Sequence, residues 1–345
     1  MSADRPLAGI RVIDLGWITA GAGTSTILAD LGADVIKVEG PGAIDPFRRW
    51  EAADPGTDWW NRSPFYNFTN RGKRSLCLDL KDARGHAVML RLLGGADVVV
   101  ENFRRGVMES LGLAPRLLRA RFPRLVIASI SSQGEDGPDR DMVSYGSTLE
   151  AMSGLAALTG AGAAPVISGR ELNYPDQVVC LFAAGAIIAA LHARRQSGGG
   201  AHLDLSQREL ASFLLGEEFV AAAAGVPSPR RGNQDPNEPA ERLQPRGAGW
   251  CVVGAHGTVP VRGAAELIAA PEFACGTAIL RTTSGEPAKG VPFRLAACTL
   301  PPPAPCPALG ADNHAVLREA GLTAAEIAAL ERDGVVADRP RDGEP

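Results

Sequence analysis

The sequence is short of the features that mark nucleic-acid-binding proteins. Aromatic residues make up 5% of its 345 positions, and no segment interleaves them with clustered lysine and arginine. The 35 basic and 39 acidic side chains give a formal net charge of -4, which provides no general attraction for a polyanion. We therefore expect no nucleic-acid partner.

Disulfide frameworks, metal clusters, secretory signals and membrane spans also lack support. The six cysteines are scattered without a CxxC pair, which is typical of reduced thiols and gives no metal-ligand spacing. The segment MSADRPLAGIRVIDLG has no basic start followed by a long apolar core. No unbroken apolar run reaches the roughly 18 residues that a membrane span needs. These features predict a cytoplasmic protein with no membrane partner and no bound metal.

What the sequence does contain is a series of short β-branched runs in its first 135 residues. Helical segments of about ten or more residues separate most of these runs, which read IRVIDLG, DVIKVEG, SLCLDL, ADVVVENF and RLVIASISS. Such an alternation predicts parallel strands joined by crossover helices, because a parallel pair needs a long connection. We predict an α/β protein with a doubly wound sheet and, from its length, two domains.

Helical patterns dominate beyond residue 134. Apolar residues recur at helical spacing over Tyr145–Leu158, Pro175–Arg195 and Gln207–Ala224, and Pro175 suits the first turn of a helix. A short strand, HLDLS, separates the last two helices, and TAAEIAALERDG predicts an amphipathic helix near the C-terminal end. The segment Val226–Gly249 is rich in proline and glycine, so it predicts a linker.

The turn after the first predicted strand is open to three interpretations. It carries Gly21 and Gly23, and Glu39 ends the next strand, which is close to a dinucleotide-binding fingerprint with its ribose-binding acid. Thr26 replaces the third glycine, however, so the fingerprint is incomplete. NAD, another phosphate-bearing ligand at the helix N-terminus, and a plain turn all remain possible interpretations of this segment.

Six longer segments occur in a fixed order between residues 6 and 232. They read PLAGIRVIDLG, ILADLGADVIKVEGPGAIDPFR, NRGKRSLCLDLK, ADVVVENFRRGVMESLGL, PRLVIASISSQGEDGP and AAGAIIAALHARRQSGGGAHLDLSQRE. GNQDPNEP and GADNHAVLREAGLTAAEIAALERDGVV follow towards the C-terminal end. Together they resemble the family III CoA transferases, a group that includes formyl-CoA and carnitine CoA transferases and the related α-methylacyl-CoA racemases.

The resemblance implies a division of the chain and an assembly. It implies a large doubly wound domain over residues 1–225, a reduced small domain over residues 226–299, and a helical segment over residues 300–345 that returns to the large domain. It also implies a homodimer of interlocked chains. The implied partners are an acyl-CoA and a carboxylic acid, with coenzyme A as part of the substrate and no metal.

The family's nucleophile aligns with Asp176, in the segment NYPDQVVCLFAAG. A carboxylate there would attack a thioester to form an acyl anhydride, and the released CoA thiolate would then form an aspartyl-CoA thioester. The expected helix dipole favours the ionised carboxylate. From position alone, Asp176 is equally typical of a helix-capping residue. The same matching implies CoA-binding roles for Thr19, Ala20, Leu78, Lys81, Asn102, Phe103, Arg104, Arg105 and Tyr145.

The sequence departs from the resembled family at three places. Ser144-Tyr145-Gly146 stands where the racemases carry Gly-His-Asp, so the histidine base of a racemase is missing. Gly40 and Val143 stand where some transferases carry a basic residue. The small domain is also short, which would open the pocket to a bulky or carrier-bound acyl group, or remove activity. CoA transfer is the leading prediction; α-carbon isomerisation with Asp176 as base and a catalytically silent partner of a full-length homologue are the alternatives.

Overall fold

The six strands of the main sheet are all parallel. The structure, a computed structural model, describes residues 5–50, 56–160, 173–226, 229–230, 232, 237–238, 241–255, 257–274, 278–296 and 298–341. The strands are β1 Arg11–Asp14, β2 Asp34–Glu39, β3 Arg74–Cys77, β4 Val98–Glu101, β5 Val126–Ser131 and β6 His202–Ser206. Their order across the sheet is β3-β2-β1-β4-β5-β6. The predicted α/β fold with a parallel sheet is confirmed, and the order reverses between β1 and β4, where such sheets bind ligands.

Helices cover both faces of this sheet. They are α1 Ala20–Asp30, α2 Pro64–Asn70, α3 Ala83–Gly94, α4 Val107–Ser110, α5 Pro115–Arg121, α6 Gly146–Met152, α7 Leu155–Leu158, α8 Tyr174–Ser197, α9 Gln207–Phe213 and α10 Gly216–Ala223. One apolar cluster packs α1 and α8 against one face, and a second packs α3 and α5 against the other. Strands buried on both sides explain the continuous runs such as Val98–Val100, which show no polar alternation.

The remaining chain forms smaller units. Two antiparallel sheets consist of β7 Arg242–Arg246, β8 Gly249–Gly254 and β9 Gly257–Pro260, and of β10 Ile279–Arg281 with β11 Pro287–Lys289. The helices beyond α10 are α11 Ala264–Ala269, α12 Pro271–Ala274, α13 Asn313–Glu319 and α14 Ala324–Arg332. The last two, α13 and α14, belong to the large unit, which is the main sheet with the helices packed on it. Four of their residues join the same core cluster as α3: Val316, Leu317, Ile327 and Leu330.

Helix α8 shows how local sequence sets its limits. Pro175 lies in its first turn, and the helix ends at Gly198, whose φ of 76° is left-handed and therefore favours glycine. Val179, Ala183 and Ile187, spaced four residues apart, are buried. With a mean hydropathy of 1.7 over its best window, the helix is long and apolar enough to cross a membrane by composition. The buried side of α8 packs against α1, as expected of a helix that contributes to the core of a folded domain.

Three of the secondary-structure predictions need correction. The helix predicted over Tyr145–Leu158 is broken into α6 and α7 at Gly154, whose φ is 92°. The helix predicted over Gln207–Ala224 is divided into α9 and α10. The predicted linker was wrong at its end, where Arg242–Arg246 pairs with β8 through a tight turn at Gly247, whose φ is 61°. Much of the remaining linker lies outside the described residues.

The described cysteines are free thiols, and Cys77, Cys180 and Cys251 are buried. Cys275 lies outside the described residues. Within the described ranges, no group of three or more His, Cys, Asp or Glu side chains could hold a metal ion.

Candidate active site

A cavity of about 1300 Å³ opens at the C-terminal edge of the parallel sheet. Its walls come from the segments that follow β1, β2, β3, β4 and β5, together with the first turn of α8. The strand order reverses between β1 and β4. The loops that leave the C-terminal ends of these two strands therefore run in opposite directions and leave a space between them. Nine of the predicted site residues line this one cavity: Ala20, Leu78, Lys81, Asn102, Phe103, Arg104, Arg105, Tyr145 and Asp176. Thr19, at the N-cap of α1, is buried beside it.

Asp176 is a buried carboxyl group at the wall of this cavity. It lies in the first turn of α8 and is 9% exposed. The residue at the N-cap is Asn173, and no side chain caps the helix, so Asp176 does not act as the cap. Within the described part of the chain, no hydrogen bond or ion pair to its carboxylate is found. Burial raises the pKa of Asp176 to about 7, which opposes the ionised form that the helix dipole favours.

Cys180 connects α8, the helix that carries Asp176, to the start of α1. It lies one turn after Asp176, and its buried Sγ donates to the carbonyl oxygens of Thr19 at 3.3 Å and Ala20 at 3.6 Å. A Cβ atom on Gly23 would lie 2.7 Å from that sulfur, so only glycine permits this approach. The contact fixes the N-terminal turn of α1 relative to Asp176. Sequence reasoning missed Cys180, which looked like any core cysteine.

The loop between β1 and α1 is held by Asn102. The side-chain Oδ1 of Asn102 accepts from the backbone N–H of Trp17 at 2.6 Å, and its Nδ2 donates to the Trp17 carbonyl at 3.0 Å. Cβ atoms on Gly16 and Gly21 would lie about 2.5 Å from the other glycine's backbone. Phe103 packs edge-on against Trp17, with ring centroids 5.5 Å apart. Asn102 thus shapes the cavity wall through the loop.

Strain is concentrated in the same loop. Ile18 has a φ of 58°, and it is the one non-glycine residue with positive φ in the described ranges. The carboxylate of Asp45 accepts from the Ile18 N–H at 3.1 Å and also pairs with the buried ammonium group of Lys37 at 3.1 Å. These buried charges hold a conformation that a β-branched residue disfavours. The signal available in the sequence was Lys37, a lysine among the apolar residues in the middle of the strand DVIKVE.

Glu39 does not act as a free ribose-binding acid. Arg48 donates to both of its carboxylate oxygens at 2.8 Å, and the Tyr66 hydroxyl donates to one of them at 2.7 Å. Burial would raise the pKa of Glu39, but the Arg48 guanidinium outweighs it and holds the pKa at about 2. Gly21 and Gly23 also lie inside α1, which begins at Ala20. Both findings disfavour the NAD interpretation of this segment.

Basic side chains surround the outer part of the cavity. Lys81 and Arg104 are exposed, and their side chains have no polar partner among the residues that the structure describes. Arg105 donates to the Glu135 carbonyl at 2.9 Å. Arg140 and Arg341 also line the cavity, and sequence reasoning missed both because no motif surrounds them. Leu78 is fully buried, whereas Tyr145 is 64% exposed.

A cavity at the switch point, a buried carboxyl group without a partner among the described residues and several basic side chains at the rim are typical of a ligand-binding site in a doubly wound protein. The model of the CoA-transferase family III matches residues 7–277, so this chain belongs to that family. The family predicted from the sequence segments is thereby confirmed.

Individual relatives agree with this assignment. The chain is 37% identical over 255 residues to a succinate–glutarate CoA-transferase of Agrobacterium fabrum, covering 72% of this chain and 62% of that protein. It is 36% identical over 275 residues to a succinyl-CoA–D-citramalate CoA-transferase of Chloroflexus aurantiacus, covering 78% and 66%. A crystal structure of a CaiB/BaiF family protein from Brucella suis superposes with a TM-score of 0.84 at 25% identity, over 92% of this chain and 100% of that one. The chain thus spans less than two thirds of either curated relative.

Proposed function

We propose that this protein transfers CoA from an acyl-CoA thioester to a carboxylic acid, with Asp176 as the nucleophile. The observation that carries the proposal is a buried carboxyl group that has no partner among the described residues, at the wall of a cavity large enough for a thioester of CoA. Glu39, by contrast, is buried in an ion pair with Arg48. An unpaired buried carboxylate costs stability, so a role in chemistry accounts for it.

In the first half of the reaction, a carboxylate oxygen of Asp176 attacks the thioester carbonyl carbon. The C–S bond breaks, CoA leaves as the thiolate, and Asp176 carries a mixed anhydride. The thiolate then attacks the aspartyl carbonyl carbon of the anhydride, which releases the donor acid and leaves an aspartyl-CoA thioester. Burial excludes the water that would hydrolyse either intermediate.

The second half repeats these steps with the acceptor. The acceptor carboxylate attacks the aspartyl-CoA carbonyl carbon, expels the thiolate and forms a second anhydride. The thiolate then attacks the acceptor's acyl carbon, which yields the new thioester and restores the Asp176 carboxylate. The group-transfer free energy of the thioester is conserved, because neither a thioester nor an anhydride is hydrolysed. No cofactor beyond CoA takes part in this scheme.

The proposal is tested by trapping the intermediate. Incubation with an acyl-CoA, followed by hydroxylamine or borohydride and peptide mapping, is expected to modify Asp176 and to leave the D176N variant unmodified. Glu101 is the internal control, because it is a second buried carboxyl group of the same cavity and burial raises its pKa to about 7 as well. Modification of both groups, or of neither, would refute the covalent scheme.

The same Glu101 favours one alternative function. Two buried carboxyl groups with pKa values raised to about 7 are a possible acid and base for proton transfer at the α-carbon of an acyl-CoA. Under this alternative, deuterium from solvent enters the α-carbon without exchange of CoA between acids, and no adduct forms on Asp176. A silent partner subunit would show neither deuterium entry nor an adduct.

The acceptor is proposed to be a short dicarboxylic acid. The names of the two relatives described above refer to succinate, glutarate and citramalate as their acids. A screen of acyl-CoA donors against mono- and dicarboxylic acids, read by mass spectrometry, tests this choice. The shortened small domain is proposed to admit bulky or carrier-bound acyl groups. A strong preference for small donors over large ones would contradict that.

We also propose a homodimer, because an apolar face of the large unit is uncovered. Leu181 and Phe182 on α8 are 52% and 38% exposed, and Phe213 and Phe219 on the next two helices are 68% and 56% exposed. The rings of Phe182 and Phe213 contact each other, so α8 and α9 share one exposed apolar patch. Phe213→Glu is expected to shift the sedimentation mass towards the monomer. Leu117→Glu, at an exposed leucine on α5, serves as the control that leaves it unchanged.

A further inference from the structure

The C-terminal strap, residues 334–341, runs across the strand ends at one side of the cavity. The backbone N–H of Asp79 donates to the Val335 carbonyl at 2.8 Å, and a single antiparallel bridge pairs Leu78 with Val336. Further along, the Arg341 N–H donates to the Pro41 carbonyl at 2.7 Å. The strap is therefore fixed both at the end of β3 and at the segment that follows β2.

These backbone contacts place the Arg341 side chain at the cavity wall. Its Nη2 donates to Asp79 Oδ2 at 2.7 Å and to the Gly334 carbonyl at 3.2 Å. Its Nε and Nη1 have no hydrogen-bond acceptor among the residues described. The side chain is 55% exposed, so the guanidinium has a face open to a ligand.

Charge explains what this face would bind. The cavity lining also carries Lys81 and Arg104, whose side chains lack polar partners in the described ranges and are therefore available to an anionic ligand. Among the described residues, Asp79 is the one carboxylate that contacts Arg341, and it accepts from a single nitrogen, Nη2. A guanidinium with free N–H groups matches the geometry of a phosphate, to which it can donate twice.

We propose that Arg341 binds a phosphate group at the nucleotide end of CoA, delivered to the site by the C-terminal strap. The proposal rests on the CoA-binding function proposed above. It assigns a ligand contact to a residue more than 160 positions from Asp176 in sequence, on a segment that no motif marks. The pantetheine arm and the acyl group would then extend from this rim towards the buried carboxyl group.

The test compares ligands that differ in their phosphates. Affinities of wild type, R341Q and R341K are measured by calorimetry for CoA and 3′-dephospho-CoA, and by competition for pantetheine. R341Q is expected to weaken CoA binding roughly tenfold, because a charge-assisted hydrogen bond is lost, and to leave pantetheine binding unchanged. R341K, which keeps the charge without the fork, is expected to lose less. Arg339→Gln is the matched control, since Arg339 is exposed, pairs with Asp338 and does not line the cavity.

Dephospho-CoA identifies the phosphate. If the mutational loss disappears with this ligand, Arg341 contacts the 3′-phosphate; if the loss persists, it contacts the diphosphate. Equal CoA affinity of R341Q and wild type would overturn the proposal while CoA binding itself stands. Equal losses for CoA and pantetheine would also overturn it, because they would show a structural role. Wild-type protein that binds no CoA would refute the proposed function, and this assignment with it.

Discussion

Replacing Asp176 with asparagine is expected to stabilise the folded protein in a pH-dependent way. The pKa of Asp176 is about 7 in the folded protein against 3.8 as the ordinary value. Because the folded state holds this proton more tightly, the group's penalty is absent below pH 3.8 and complete above pH 7. At about 1.4 kcal/mol per pH unit, the shift corresponds to about 4 kcal/mol at pH 8. The buried amide itself costs about 1–2 kcal/mol, so the net gain of D176N is about 2–3 kcal/mol.

The assay is urea unfolding of ligand-free wild type and D176N at several pH values between 5 and 8. The free energy of unfolding of the wild type is expected to fall relative to D176N by about 1.4 kcal/mol per pH unit until pH 7, and then to level off. Asp338→Asn, at a residue whose side chain is 72% exposed, is the control and is expected to show no such slope. A difference between wild type and D176N that does not vary with pH would refute the burial argument, whatever its size.

Two further predictions concern the scaffold of the site. Gly21→Ala would place a Cβ about 2.5 Å from the backbone of Gly16, so we expect the free energy of unfolding in urea to fall by about 3 kcal/mol. Gly199→Ala is the control: a Cβ there has no atom within 4 Å, so the free energy of unfolding should change by less than about 1 kcal/mol. Glu39→Gln would leave Arg48 buried without its counter-charge, at a cost of about 3–5 kcal/mol. Since the pKa of Glu39 is lowered to about 2, its stabilisation is present above pH 4.5 and lost as the pH falls towards 2; a Glu39→Gln protein that unfolds at the wild-type urea concentration would contradict this.

The parallel sheet could be predicted because its signals are local. A strand such as DVIKVE is identified by its β-branched residues, and it forms β2 at Asp34–Glu39. Helix α8, predicted over Pro175–Arg195, extends from Tyr174 to Ser197, because proline marks its first turn and glycine its end. The breaks at Gly154 and near Gly216 were missed, since their helical spacing continues across them and only packing decides where the chain turns.

The site could be predicted only in part, because much of its chemistry depends on burial and on contacts far apart in sequence. An acid near the start of a helix has the same local pattern whether it caps the helix or is buried at the wall of a cavity, so sequence alone left the role of Asp176 undecided. The ion pair of Glu39 with Arg48 and the position of Arg341 join separate segments. Family resemblance supplied Asp176 and Asn102, but it gave no indication of the contact between Cys180 and α1.

The C-terminal strap makes formation of the site a late event in the synthesis of the protein. Leu78 pairs with Val336, which lies 258 positions further along the chain. At a translation rate of about 5–20 residues per second, about 13–50 s separate the synthesis of the end of β3 from the synthesis of the segment that covers it. During that interval the nascent chain exposes apolar surface later covered by α13 and α14. We therefore expect chaperones that bind hydrophobic nascent segments to protect this side of the sheet, and CoA to find a complete site only after residues 334–341 have emerged.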